Sequence, residues 1–479
     1  MVRGFWRHRG GCECSPRAGD CRPGHSRATA AGTLRAVADP LLDPVPPTHD
    51  VAPSPGLWRN GPFLRVWAAS TISVFGSYVT RIALPFVAIL TLDAGPVQVA
   101  VLRSLELVAA LLVGFAAGAW VDRLRRRPVL IWSDLGRAAL LGSIPLAAAG
   151  GWLTLPQVFL VATLAAILTT FFDVADNAYL PTIVPRRDLV RANGALAATH
   201  SAVEFVAFGV AGFLVDLLTA PLAILIDAGS FIVSAVTLGT IRKPEPPPPP
   251  AADREPVMRE IAEGLRLVTH DPVLRGLVGG SMGLAAMWGI FGATWLLFAT
   301  EELGLEPAII GVIAALGGFG SLLGALLAAR ASARYGLGRV VIASMLFAAL
   351  GNALIPLAPA GLPLVAVALL IGQQLIGDTA VTAFDVTEVS VRQARVGNRQ
   401  LGRVNATVRV AVVLAQLVAT LLGGLVAEVV GLRAAAVLAP LGALLGAAAL
   451  WFSPVRGLRV IEPRSDEGTP AEGPAGEPG

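Results

Sequence analysis

From residue 62 onward the apolar residues fall into twelve blocks broken by short polar stretches. They lie at 62–92, 96–121, 128–150, 154–180, 189–216 and 220–241, then at 273–301, 306–331, 338–358, 362–391, 400–429 and 431–453. A helix rises about 1.5 Å per residue, so blocks of this length cross a hydrocarbon core of about 30 Å. The pattern predicts an all-α membrane protein of twelve transmembrane helices.

The polar breaks organise the chain. Residues 1–60 form a leader that is expected to be disordered, 61–241 a first six-helix half, 242–272 a linker, 273–453 a second half, and 454–479 a polar tail expected to be disordered. The linker opens with Arg242, Lys243, Pro244 and Glu245, and Pro246 to Pro250 make it a stiff spacer. Between Val257 and Thr269 the spacing of Ile261, Leu265 and Val268 against Arg259, Glu260 and Glu263 predicts an amphipathic helix on the membrane surface.

Composition excludes an aqueous domain. Charged residues make up 15% of the chain and hydrophobic ones 54%, against about 25% charged in soluble proteins. The net charge of +4 rests almost wholly on arginine, Lys243 being the sole lysine. This reads as a compositional bias of the genome, not as a nucleic-acid surface. Cys12, Cys14 and Cys21, with His25, lack the usual Cys-x-x-Cys spacing of a zinc site, and no apolar signal-peptide core precedes residue 57.

Arginine placement sets the orientation. Arg123, Arg125, Arg126 and Arg127, Arg186, Arg187 and Arg191, Arg242 and Arg254, Arg334 and Arg339, and Arg395 and Arg399 occupy one alternating set of connections. The other set holds Asp93, Asp216, Glu301, Glu302, Glu306 and Glu428, with Arg433 its one clear base. The positive-inside rule places the arginine set, the linker and both termini in the cytosol.

The chain also repeats itself. A shift of 212 residues carries Phe172-Asp173-Val174-Ala175-Asp176 onto Phe384-Asp385-Val386-Thr387-Glu388, Arg191 onto Arg403, Asn193 onto Asn405, Gly212 onto Gly424 and Asp216 onto Glu428. Two parallel six-helix repeats follow, an arrangement that forms a substrate site near the midplane between the halves.

Gly118-Ala119-Trp120-Val121-Asp122-Arg123-Leu124-Arg125-Arg126-Arg127 resembles the major facilitator signature Gly-x-x-x-Asp-Arg-x-Gly-Arg-Arg, with Arg125 in place of its second glycine. A weaker copy, Gly324 to Arg334, keeps Arg330 and Arg334 but has no acid matching Asp122. Ser73-x-x-Gly76 with Arg81 to Pro85, Leu180 to Pro185 with Ala192-Asn193, and Leu401 to Ala406 resemble the drug:proton antiporter branch that contains macrolide-efflux and enterobactin-export proteins. That branch often carries Gly-Pro in its fifth helix, where this chain has Gly209-Val210-Ala211-Gly212, a spacing that equally permits close helix packing.

The resemblance implies a latch on the cytosolic face. Asp122 would lie near Leu401 to Asn405, Arg126 or Arg127 would face Asp173 or Asp176, and Arg330 or Arg334 would face Asp385 or Glu388. Each acidic pair is spaced i, i+3 and shares a helix face.

Ionisable groups inside a bilayer are functional candidates. Arg81, Arg103 and Glu106 share a depth in the outer half, as a structural ion pair or as substrate or proton contacts. Glu204 lies about 20 Å from the cytosolic end of the fifth helix, with His200 one turn away, and Asp378 sits at middle depth in the tenth beside Gln373 and Gln374. An acid near the midplane is costly to ionise, and a carrier coupled to protons needs such a group. Asp227, in the outer part of the sixth helix, gives no reading alone.

No Walker A loop is present, because Lys243 precedes Pro244. An ion gradient or the substrate's own gradient must therefore drive transport. The absence of His-Glu-x-x-His, with only His200 of the five histidines inside a predicted span, speaks against a membrane-embedded enzyme. The sequence and the resemblance lead to a multi-pass protein of the bacterial inner membrane that exports an amphipathic small molecule, a drug or siderophore, in exchange for protons. It is expected to be a monomer with no cofactor, metal or nucleic-acid partner. Uptake, facilitated diffusion and lipid movement share the same motifs.

Overall fold

The structure is a computed structural model that describes residues 57–121, 123–243, 245 and 257–459. The leader with its cysteines, the signature residue Asp122, the proline run and the end of the tail lie outside the described residues.

The helices are α1 (Gly61–Phe86), α2 (Pro96–Val121), α3 (Arg126–Ala149), α4 (Leu155–Ile183), α5 (Leu189–Leu218), α6 (Ala220–Gly239), α7 (Val257–His270), α8 (Pro272–Leu297), α9 (Pro307–Tyr335), α10 (Leu337–Asn352), α11 (Pro363–Arg395), α12 (Asn398–Val429) and α13 (Leu432–Trp451). All except α7, twelve among the described residues, are long and apolar enough to cross a membrane. Proline opens α2, α8, α9 and α11, where its missing N–H is not needed and its fixed φ suits the first turn. Leu112, Leu146, Leu364 and Leu445 are 65%, 70%, 86% and 70% exposed, an apolar surface that lipid accommodates and water does not.

The two sets of six helices pack alike. Within the first, α1 packs with α5 and α6, α3 with α4 and α6, and α2 with α4. Within the second, α8 packs with α12 and α13, α10 with α11 and α13, and α9 with α11. The backbone follows the same repeat. The π-type turn Val87–Thr91 that ends α1 recurs as Phe298–Glu302 after α8. Asp93 (φ 51°) is matched by Gly304 (φ 64°), and Thr219 (φ 87°) by Gly431 (φ 115°).

Across the halves, α5 packs on α9 and α2 on α12. Glycines permit both approaches at the acid-rich end. A Cβ on Gly212 would lie 2.3 Å from the Pro307 carbonyl oxygen, and one on Gly424 would lie 2.4 Å from the Ala100 Cβ and 3.0 Å from the Pro96 oxygen. The repeat thus places the same glycine against the same helix start twice, and this structure is the state closed at the acid-rich end. Arg433 secures that end within the second half. It donates to Glu302 Oε1 at 2.7 Å and to the carbonyls of Pro356 at 2.6 Å and Ala358 at 3.0 Å.

The linker helix α7 docks on α12 through part of its apolar face. Val268 is buried with Val404 and Val408 of α12, while Leu265 is 52% exposed. Gly264 allows this docking, since a Cβ there would come 2.3 Å from the Arg403 carbonyl oxygen. Glu263 pairs with Arg403, and Asp271 Oδ2 with Arg395 Nε at 2.5 Å.

Candidate transport site between the two halves

Packing brings together two acids that are 174 residues apart in the chain. Glu204 on α5 and Asp378 on α11 are both half-buried, and each lies within electrostatic reach of the other. Tyr78 of α1 turns its hydroxyl to the Glu204 carboxylate, and Arg81 one turn away acts on the same hydroxyl. The Tyr78 ring is held by an edge contact to Phe208, with centroids 5.1 Å apart.

Asp378 owes its position to a glycine row on α9. A Cβ on Gly317 would sit 2.3 Å from Asp378 Oδ2 and 2.6 Å from Gln374 Nε2, and one on Gly320 would sit 2.8 Å from the Gln374 oxygen. Thr379 Oγ1 donates to the Gly320 carbonyl at 2.9 Å. The acid therefore rests on bare backbone, beside the buried Gln373 and Gln374. One turn from Tyr78 and next to Glu204, an open apolar cavity of about 440 Å³ is lined by Phe75, Ala198, Thr199, Ala202, Val203 and Val206. Its volume is within the range of small-molecule sites, about 300–1,000 Å³.

The other candidate residues divide differently. His200 is hydrogen-bonded to Ser70 Oγ at 2.9 Å and is a satisfied polar residue of the α1–α5 contact. Glu106 pairs with Arg103 of its own helix at 3.1 Å, and Arg103 also donates to the Arg81 carbonyl at 3.2 Å. The i, i+3 partner lies on the same helix face, nearer than Arg81.

The latch residues have other partners in this state. The backbone N–H groups of Arg126 and Arg127 donate to the two oxygens of Glu245 at 2.7 and 3.3 Å, so the linker carboxylate caps the positive end of α3. Arg126 also forms an ion pair with Glu245 at 3.5 Å, and Arg127 donates to the carbonyls of Leu238 and Gly239. Arg123 is exposed in the turn after α2, the helix that carries Gly118. Arg330 donates to Leu326 of its own helix, Arg334 lies over the Tyr335 ring, and Glu388 pairs with Arg392 at 3.3 Å, with Asp385 also facing Arg392. Asp173 and Asp176 face Arg137, Arg409 and Asp134.

Sequence reasoning passed over Asp134 and Arg137 on α3. They are buried and joined by a 2.5 Å hydrogen bond. Their i, i+3 spacing inside an apolar block was the available signal. It also passed over Tyr78, one helical turn before Arg81.

Comparison with known proteins identifies the family and the fold. Residues 66–297 and 277–477 match the Major Facilitator Superfamily. The multidrug efflux pump Tap of Mycolicibacterium fortuitum is 30% identical over 230 residues, 46% of this chain and 55% of that protein. Macrolide efflux protein A of Streptococcus pyogenes is 28% identical over 224 residues, 45% of this chain and 53% of that protein. The match to each therefore spans little more than half of the relative's length. The crystal structure of the nucleoside transporter NupG has a similar fold, with a TM-score of 0.68 at 15% identity over 81% of this chain and 98% of that one.

Proposed function

The chain belongs to the Major Facilitator Superfamily, and on that premise we propose that it exports an amphipathic small molecule in exchange for protons. Family and fold are those of transporters, and the protein is a multi-pass membrane protein. The observation that carries the proposal is the approach of Glu204 and Asp378 from opposite halves. Two nearby carboxylates repel when both are ionised, so a proton on one relieves the other. A substrate entering between them changes that repulsion, and so does the rocking of the halves. Export is supported by the likeness to the multidrug efflux pump Tap and macrolide efflux protein A.

In this reading the arginine-rich face and both termini are cytosolic, the membrane is the bacterial inner membrane, and one chain is the working unit. The structure then corresponds to the state open to the cytosol. The cytosolic latch forms when that side closes.

A pump-deficient bacterial host expressing the chain tests the direction of transport. Tolerance to at least one amphipathic inhibitor is expected to rise, and Glu204→Gln is expected to abolish the gain at equal expression. Increased sensitivity, or a gain that Glu204→Gln and Asp378→Asn leave intact, contradicts the proposal.

A further inference from the structure

The first six helices bury a charged cluster at a place where the last six are apolar. Asp134 and Arg137 on α3 are 0% and 3% exposed, and Asp227 on α6 is 1% exposed. Arg137 Nη2 donates to Asp134 Oδ1, and its guanidinium lies between the rings of Phe172 and Phe231, 4.4 and 4.0 Å from their centroids. Ser230 Oγ donates to Asp227 Oδ1 at 3.0 Å. That carboxylate packs against α1 so closely that a Cβ on Gly76 would lie 2.3 Å from Oδ1.

The repeat shows that the fold does not require these charges. Gly76, Asp134 and Arg137 correspond to Met287, Met345 and Ala348 at a shift of 211, and Asp227 to Ala439 at a shift of 212. Those four residues belong to one apolar cluster of the second half.

Charge balance shows what the cluster lacks. Asp227 faces Arg137 and Asp134 from α3 and the Thr80 hydroxyl from α1, and Arg137 also faces Asp173 of α4. One guanidinium neutralises one carboxylate. The Ser234 hydroxyl faces Asp134 as the Thr80 hydroxyl faces Asp227, but neither supplies a second positive charge, and an uncompensated buried carboxylate is far costlier than its neutral acid. We propose that Asp227 holds a proton, which makes Asp134, Arg137 and Asp227 a proton-binding site separate from Glu204 and Asp378.

Asp173, exposed on α4, faces both Arg137 and Arg409 of α12. Rocking of the halves moves Arg409 relative to Asp173 and so alters the charge that Arg137 must balance. The use of the proton in transport rests on the proton-coupled reading above, but its presence does not.

Infrared spectroscopy of the purified full chain, titrated from acid to alkaline buffer, tests the site through the carbonyl stretch of buried carboxylic acids. Asp227→Asn is expected to remove one such acid while eluting and melting like wild type, because asparagine replaces a neutral acid of the same shape. The double variant Glu204→Gln with Asp378→Asn is expected to retain it. The double variant Asp134→Asn with Asp173→Asn leaves Asp227 as the acid that faces Arg137, so the signal is lost there as well. Persistence of that signal in Asp227→Asn overturns the proposal. If Asp227→Asn fails to fold, persistence in Asp134→Asn with Asp173→Asn overturns it. Loss of the signal in these variants, with no response of wild-type transport to a pH gradient, leaves the site standing and removes the coupled reading.

Discussion

Gly212 on α5 and Gly311 on α9 meet backbone to backbone, so that a Cβ placed on either would lie 2.8 Å from the Cα of the other. No side chain larger than hydrogen fits without parting the helices. Overpacking of a tight contact costs about 1–3 kcal/mol, and about 1.4 kcal/mol is a tenfold change in a two-state equilibrium. Gly212→Val is therefore expected to disfavour the state closed at the acid-rich end by about tenfold or more. A cysteine in α5 near Phe208, probed with a membrane-impermeant thiol reagent from that side, should label faster. Unchanged labelling would show that the glycine contact does not control closure.

The two acids at the centre have separate supports, and their neutral variants test them together. Glu204→Gln and Asp378→Asn are expected to abolish transport driven by a pH gradient while counterflow exchange of substrate survives. Gly317→Ala should imitate Asp378→Asn, because the new methyl group occupies the carboxylate's place. Wild-type accumulation in all three variants would place coupling elsewhere.

Asp271 gives a pH prediction outside the membrane. Burial alone would raise its carboxyl, but the Arg395 guanidinium and the N–H groups of Val273 and Leu274 outweigh burial and hold it below the ordinary aspartate range. A depressed native value means the contribution to stability is present above the unfolded-state value and is lost as pH falls through the native one. Asp271→Ala should lower the melting temperature at neutral pH, in line with about 0.5–2 kcal/mol for a lost helix cap. The gap to wild type should close in strongly acid buffer. A gap that stays constant with pH would show that the carboxylate charge is not involved.

The proposed latch requires Arg126 or Arg127 to exchange partners. Glu245 pairs with the Arg126 side chain in the present state, while Arg127 donates to the Leu238 and Gly239 carbonyls, so Glu245→Gln should free Arg126 and favour closure of the arginine-rich side, and Asp176→Asn should oppose it. A partly wet ion pair contributes about 1 kcal/mol or less, which limits each shift to roughly fivefold. Labelling of a cysteine at Gly402 should fall in the first variant and rise in the second. Shifts of the same sign in both would exclude the exchange.

The fold was legible because it is written in long apolar blocks, and the repeat in residues that have no reason to match by chance. Gly212 and Gly424 share a register in the sequence and a packing role in space. The depths of Glu204 and Asp378 were readable from helix rise, but their approach was not, since periodicity along one helix says nothing about its rotation against another. The partners of Arg126 and Arg127 were inferred from the family pattern, and the linker carboxylate Glu245 was nearer. Asp134, Arg137 and Asp227 lie in three different places along two helices, and only packing makes them one cluster.

The central claim is that movement of the substrate is exchanged for protons through the acids between the halves. The direct measurement is substrate flux in proteoliposomes carrying the purified chain, with and without an imposed pH gradient. The account predicts uphill movement that follows the gradient, reverses when the gradient is reversed, and stops in Glu204→Gln. Flux that only equalises substrate concentrations, at a rate indifferent to the gradient, would contradict it.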